Sequence, residues 1–262
     1  MPTTAKLYLG AIEIGGGFGP ADFSNTATGT YTEGGINYKY VTFNASGSLV
    51  VTSAGFFDVL LVGGGGGGGG QTDGNRTSAG GAGAGQHLFL TSGFLPEGTQ
   101  SVTVGAGGGG GSDGGFSSIL GIFSIGGARG TGAFNDRSNG AHGGGGNPWG
   151  GASGSLIGGF SGSSGTGTGP DGRTGSGGGG GAGGAGQAGG YNTALGLGGI
   201  GVANSITGSS VTRSVGGAGG ITGLRTPVAG GANTGNGGGG SSLFPGSNQP
   251  GGSGVVIIRV EI

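Results

Sequence analysis

Apolar residues in this chain gather in a few short islands: YKYVTF (Tyr38–Phe43), SLVVTS (Ser48–Ser53), FFDVLLV (Phe56–Val62), HLFLT (His87–Thr91), QSVTV (Gln100–Val104), FSSILGIFSI (Phe116–Ile125) and GVVIIRVEI (Gly254–Ile262). Alternation and β-branched or aromatic enrichment predict a strand for each. NASGS and SAG, which separate the first three, are short turn sequences and predict neighbouring antiparallel strands. No segment of ten or more residues carries a helical period with caps, so essentially no α-helix is expected. The last island lies more than a hundred residues beyond FSSILGIFSI, yet it is among the most apolar in the chain. It is expected to return to the early strands and close an antiparallel β-sandwich.

Between the islands the chain is largely glycine, 85 of 262 residues, and only 7% of it is charged. Strands run straight into these stretches, as in LLVGGGG, VTVGAGGGGG and FSIGGARG. Fixing each glycine costs roughly 1–2 kcal/mol with no side chain to bury in return. A disordered linker would be solvated by charge, whereas here nine basic and ten acidic residues are scattered along the whole length. Ordered glycine needs a different source of stability, and backbone hydrogen bonds between chains contribute on the order of 1 kcal/mol each. The extended left-handed helix of three residues per turn leaves every N–H and C=O free for neighbours. The predicted fold is therefore all-β, a small antiparallel sandwich with a polyglycine-II bundle inserted at 63–86, 105–115 and 126–253. Only glycine is expected where a segment is surrounded, with Ala, Ser, Thr or Asn on outward edges.

The net charge of −1 and the presence of only two lysines, Lys6 and Lys39, argue against nucleic acid or an anionic membrane as partner. No apolar run approaches the ~20 residues of a membrane span, and the opening MPTTAKLYLGAIEIGGG lacks the pattern of a secretory signal, so assembly inside the cell is expected. Without cysteine there are no disulfides or thiolate metal sites. The octaglycine is followed by QTDGNR rather than Gly-Lys-Ser/Thr, which argues against a phosphate loop, and glycine does not fall at every third position as collagen requires. His87, His142 and Asp136 do not make a metal site, while Asp113 and Asp171 stand in turn sequences. The expectation is a non-enzymatic protein with no cofactor and no metal. Asn44-Ala45-Ser46 and Asn75-Arg76-Thr77 match the glycosylation acceptor pattern, accidentally so without a secretion signal. What is not glycine collects in loops between the runs, the usual carriers of binding determinants on a rigid scaffold. Phe134, Arg137, His142, Trp149, Arg173 and Tyr191 are the loop candidates for binding; Trp149 in NPWGG reads either as a plug on the bundle or as a sugar-stacking platform.

FNASGSLVVTSAGFFDVLLVGGGGGGGG, then SVTVGAGGGGG and finally GGSGVVIIRV resemble the glycine-rich domain found in many bacteriophage virion proteins. The likeness runs from about Tyr38 to Ile262. The design is also similar to polyglycine-helix phage adhesins and to the glycine-rich region of anaplastic lymphoma kinase, which implies a jelly-roll-like sandwich. KLYLGAIEI resembles the short YLG segments that begin phage appendage proteins, implying that residues 1–35 attach to the particle through Leu7, Tyr8, Leu9, Ile12 and Ile14 while 36–262 form the glycine-rich domain. The resemblance implies a virion protein exposed on the particle surface, most simply a tail-associated adhesin for host-surface glycan, alternatively a head decoration or head-fibre protein. Its partners would be other virion proteins and further copies of itself, with a trimer expected.

Overall fold

The computed structural model describes residues 17–70, 78–132, 138–148, 151–156, 159–167, 174–190, 195–221, 226–242 and 248–262. Its regular structure is all-β, with no helix among the described residues. One five-stranded sheet runs in the order β2 (Gly29–Glu33), β3 (Ile36–Phe43), β12 (Val255–Glu261), β5 (Gly55–Val62), β6 (His87–Leu95). A second runs β1 (Asp22–Phe23), β4 (Gly47–Ser53), β7 (Gly98–Thr103), β8 (Ser117–Ile119), β9 (Ile122–Ser124). A small hairpin joins β10 (Val202–Asn204) to β11 (Val211–Arg213). Every strand pair is antiparallel.

The two large sheets face each other across one core. Val41, Phe57, Val59, Leu61, Val256 and Ile258 from the first meet Phe23, Leu49, Val51, Val102 and Ile119 from the second. The opposite face of the first sheet is also covered, because Leu60, Val62, Val255 and Ile257 pack with Ile206 from the β10–β11 connection. Burial on both faces explains why FFDVLLV and VVIIRV read as nearly continuous apolar runs. The last strand does return to the early ones, pairing Ile258 with both Val41 and Val59.

Three expectations about strands need correction. The first three islands are not neighbours: β4 crosses to the second sheet, and β12 takes the place between β3 and β5. FSSILGIFSI is a tight hairpin rather than one strand, turning at Leu120 and Gly121 with φ of 52° and 74°. Positive φ at both central residues is the turn geometry that matches the twist of a hairpin. Finally, β1, β2, β10 and β11 come from segments with no apolar alternation. β1 and β2 weave residues 22–33 into both sheets, through pairing with β4 and β3.

Beyond the strands, glycine segments bond to one another laterally. In Gly63–Gly70 the N–H groups rotate through three neighbours: Gly63, Gly66 and Gly69 donate to Gln86, Gly83 and Gly80; Gly64 and Gly67 to Gly115 and Ser112; Gly65 and Gly68 to Gly252 and Gln249. The carbonyls rotate through three others, Gly64 and Gly67 accepting from Gly127 and Gly130, Gly65 and Gly68 from Gly108 and Gly111, Gly66 and Gly69 from Gly238 and Ser241. The octaglycine is thus enclosed by six segments, and every third residue returns to the same one. The same cycle of three governs residues 79–86 and 176–181. A side chain on Gly64 through Gly69 would meet a neighbour's backbone carbonyl at a distance no real Cβ adopts.

Glycine is not the only residue tolerated inside. Ala79, Ala82, Ala84 and Ala128 have no exposed surface, and Thr131, Ser176 and Ser241 are equally buried. The expectation that surrounded segments hold only glycine therefore applies to the octaglycine and relaxes one layer away from it. Asp113, expected in a turn, also serves this network: its Oδ1 accepts the Arg129 N–H at 2.8 Å, one place in the cycle by which Gly127 and Gly130 bond the octaglycine and Ala128 and Thr131 bond His142 and Gly145.

Candidate functional site

Of the residues singled out from sequence for binding, Phe134, Arg137, Trp149, Arg173 and Tyr191 lie outside the described residues, as do Leu7, Tyr8, Leu9, Ile12 and Ile14. His142 is inside the bundle and 5% exposed. Its backbone carbonyl accepts the Ala128 N–H, its Nδ1 accepts the Phe160 N–H at 3.0 Å, and its ring stacks on that of Phe160. Burial pushes its pKa down to about 4, so the ring is neutral at pH 7. With Nδ1 accepting, the proton of the neutral ring sits on Nε2, which therefore acts as a donor and not as a metal ligand. Nε2 of His142 and Nε2 of His87 are both buried without a partner among the described residues, and the two residues line one cavity of about 140 Å³. Burial, and then the charge of Arg213, lowers the pKa of His87 as well.

A second site was not anticipated. On the outer face of the first sheet, Asp58 of β5 and Arg259 of β12 stand directly opposite each other in register. Arg259 grips Asp58 through Nη2 and, at 3.1 Å, through Nε; its Nη1 donates to the Tyr31 hydroxyl and lies 3.5 Å from Glu33. The guanidinium also covers the ring of Tyr38, which stacks on Tyr31, and the Tyr31 hydroxyl donates to Ile206 O at 3.0 Å. Burial disfavours the charge on Arg259, but its bonds to Asp58 and Tyr31 outweigh this and raise its pKa. The cluster ties β2, β5 and β12 to the β10–β11 connection.

Beside it opens a cleft of about 580 Å³ that includes Tyr38, Phe56, Thr91, Ser92 and Glu261 and is rimmed by Phe18. Phe18 packs edge-on against Phe94, and both rings are about half exposed. Ser92 holds φ at 57°, in a bulge where its N–H donates to Asp58 Oδ1 at 2.9 Å. Flat apolar rings next to hydroxyls and carboxylates suit contact with a polar partner surface. The signal was present in sequence: Asp58 interrupts FFDVLLV and Arg259 interrupts VVIIRVEI, two opposite charges inside the most apolar strands.

The cleft and the glycine bundle occupy opposite ends of β5. At its start Ala21 N–H donates to Phe56 O and Phe56 N–H to Gly19 O; at its end Val62 runs into the octaglycine. Fold and sites together define a β-sandwich protein whose strand ends feed a hydrogen-bonded bundle of glycine segments. Residues 42–261 match the family model described as Glycine-rich domain, and the chain belongs to that family. No curated protein matches the chain.

Proposed function

We propose that this chain is a non-enzymatic bacteriophage virion protein, held to the particle at the cleft end of the sandwich and carrying a rigid polyglycine-II bundle outward. The observation that carries the reading is the polarity of the molecule. Residues 17–20, which follow the anchoring candidates Leu7, Tyr8, Leu9, Ile12 and Ile14, pack at the start of β5, whereas the glycine segments leave from its end. The half-exposed Phe18 and Phe94 sit on the same end and suit contact with a neighbouring virion protein. The period-three bonding supports the polyglycine-II reading, and the sequence motifs shared with phage glycine-rich domains support the virion reading.

The proposed role is adhesion to host-surface glycan at the tail, with Trp149 and Tyr191 as stacking residues. Particles carrying Trp149→Ala and Tyr191→Ala are expected to assemble normally and to lose adsorption. Normal adsorption would reject adhesion, and gold labelling on the head instead of the tail would assign the chain to head decoration. Removal of residues 1–16 is expected to abolish incorporation into particles, and unchanged incorporation would reject the anchor.

A further inference from the structure

Residues 236–242 have five bonded neighbours where the octaglycine has six. Their N–H groups follow the three-residue cycle: Gly237 and Gly240 donate to Val215 and Ala218, Gly238 and Ser241 to Gly66 and Gly69, and Gly239 to Val228. Their carbonyls fill two of three directions, Gly238 and Ser241 accepting from Ala82 and Ala79, Asn236 and Gly239 from Gly252 and Gln249. The third direction belongs to Gly237 O and Gly240 O. Both residues are buried, and among the described residues no N–H donates to either oxygen.

Around the octaglycine, neighbours that accept and neighbours that donate alternate. The same alternation places the missing donor between residues 215–219 and residues 227–230. A groove of about 170 Å³ lies there, with Gly237, Gly239 and Gly240 on its floor. Two further observations agree. A side chain on Gly237, Gly238 or Gly240 would overlap a backbone carbonyl, of Ala82, Gln249 or Ala79, but on Gly239 it would meet nothing closer than Val228 N at 3.0 Å. And Asn236, three residues before Gly239, turns its side chain to the Val215 N–H at 2.9 Å, whereas the Ala218 N–H, three residues further along, has no acceptor among the described residues.

We propose that this groove is a docking site for an extended glycine-rich segment of a partner protein, which takes the sixth place in the lattice. Its N–H groups, three residues apart, donate to Gly237 O and Gly240 O, and one of its carbonyls accepts from Ala218. The two acceptors lie about 9 Å apart along a helix rising ~3.1 Å per residue, so about four residues make the contact. Asn236 and Ser242, in phase with Gly239, bracket the groove and limit its length. The occupant is a free segment rather than a second folded copy, because the bonding cycle leaves a single place open, and a copy would bring its own flanking segments against Pro227 and Val228, which line the groove. The recognition is the three-residue-helix counterpart of strand addition to a sheet edge: main-chain bonds supply affinity and the absence of side chains supplies selectivity. It does not depend on the virion reading.

The test titrates the isotope-labelled full chain with an N-acetylated hexaglycine peptide, carrying a C-terminal lysine amide for solubility, and follows backbone resonances. Saturable shifts confined to 215–219, 227–230 and 236–242 are expected, with none from hexaproline, which adopts the same helix but has no N–H to donate. Gly239→Leu projects into the groove and is expected to abolish the shifts while leaving the melting temperature within a few degrees. Ala218→Pro, which replaces the N–H with ring carbon, is the second variant should the first fail to fold. Absence of saturable shifts, equal response to hexaproline, or retained binding in a folded variant would overturn the proposal. So would a dimer in solution that either variant dissociates, since the occupant would then be a second copy.

Discussion

Gly67→Ala tests the bundle at the most crowded point of the octaglycine. The new methyl would lie 2.5 Å from the carbonyl carbon of Gly109, closer still to its oxygen, and 3.0 Å from Gly108 O. Relief requires the two segments to part by more than 1 Å, about the margin over which hydrogen bonds are lost. The bonds in the way are Gly108 N–H to Gly65 O and Gly111 N–H to Gly68 O, both at 2.9 Å. Each contributes about 1 kcal/mol net, and each carbonyl left buried without a donor costs about 1–3 kcal/mol more, so a loss of about 4–8 kcal/mol is expected. In a domain of this size that lowers the melting temperature by about 10 °C or more. The matched control lies across the same contact: a methyl on Gly109 meets nothing within 4 Å. Gly109→Ala should be neutral or stabilise by about 0.4–1 kcal/mol through the unfolded chain. Thermal and urea unfolding of the two variants decide the matter. Equal stabilities within about 1 kcal/mol would refute the account in which backbone contact, rather than glycine content, orders these segments.

Acid should loosen the bundle through His142. Its pKa falls from 6.5 to about 4 on folding, so its contribution is complete above pH 6.5 and is lost as the pH drops toward 4. The loss amounts to about 3 kcal/mol, and His142→Asn, which keeps an acceptor for the Phe160 N–H without titrating, should flatten that part of a stability–pH curve; an unchanged slope would assign the titration elsewhere. Asp58→Ala leaves the Arg259 guanidinium, 11% exposed, without its main partner and should cost about 3 kcal/mol or more in urea unfolding. Adding Arg259→Met should recover part of that loss, and a double variant no better than the single one would show that the pair does not act as a unit.

Much of the sandwich was legible because its strands carry apolar residues at alternate positions, and both faces of the central ones are covered. Pairing was less legible. Turn sequences such as NASGS say that the chain reverses but not whether it reverses within a sheet or across to the facing one, and nothing local to β3 or β5 announces that β12 separates them. The break in FSSILGIFSI depends on Leu120 taking a positive φ, a conformation that residue type does not advertise. The glycine runs announced backbone packing through composition alone, but the fully buried alanines at 79, 82 and 84 depend on how six neighbours are arranged. His142 looked like a loop residue because glycine surrounds it in sequence; in space those glycines are the walls that bury it. The Asp58–Arg259 pair was readable as two misplaced charges, whereas the groove beside Gly239 exists only in the relation among three distant segments.

The placement of β12 also dictates when this protein can fold. Residues 255–261 complete the sheet between β3 and β5, so during synthesis the earlier strands present two unpaired edges for almost the full length of the chain. Such long-range closure makes folding slow and leaves apolar edges open to wrong partners meanwhile. The glycine segments that separate β9 from β12 offer little competing apolar surface during that wait. Loss of the final strand would remove Val256 and Ile258 from the core along with two ladders of hydrogen bonds, so a ribosome that stops short of it releases a chain with no way to finish its sandwich.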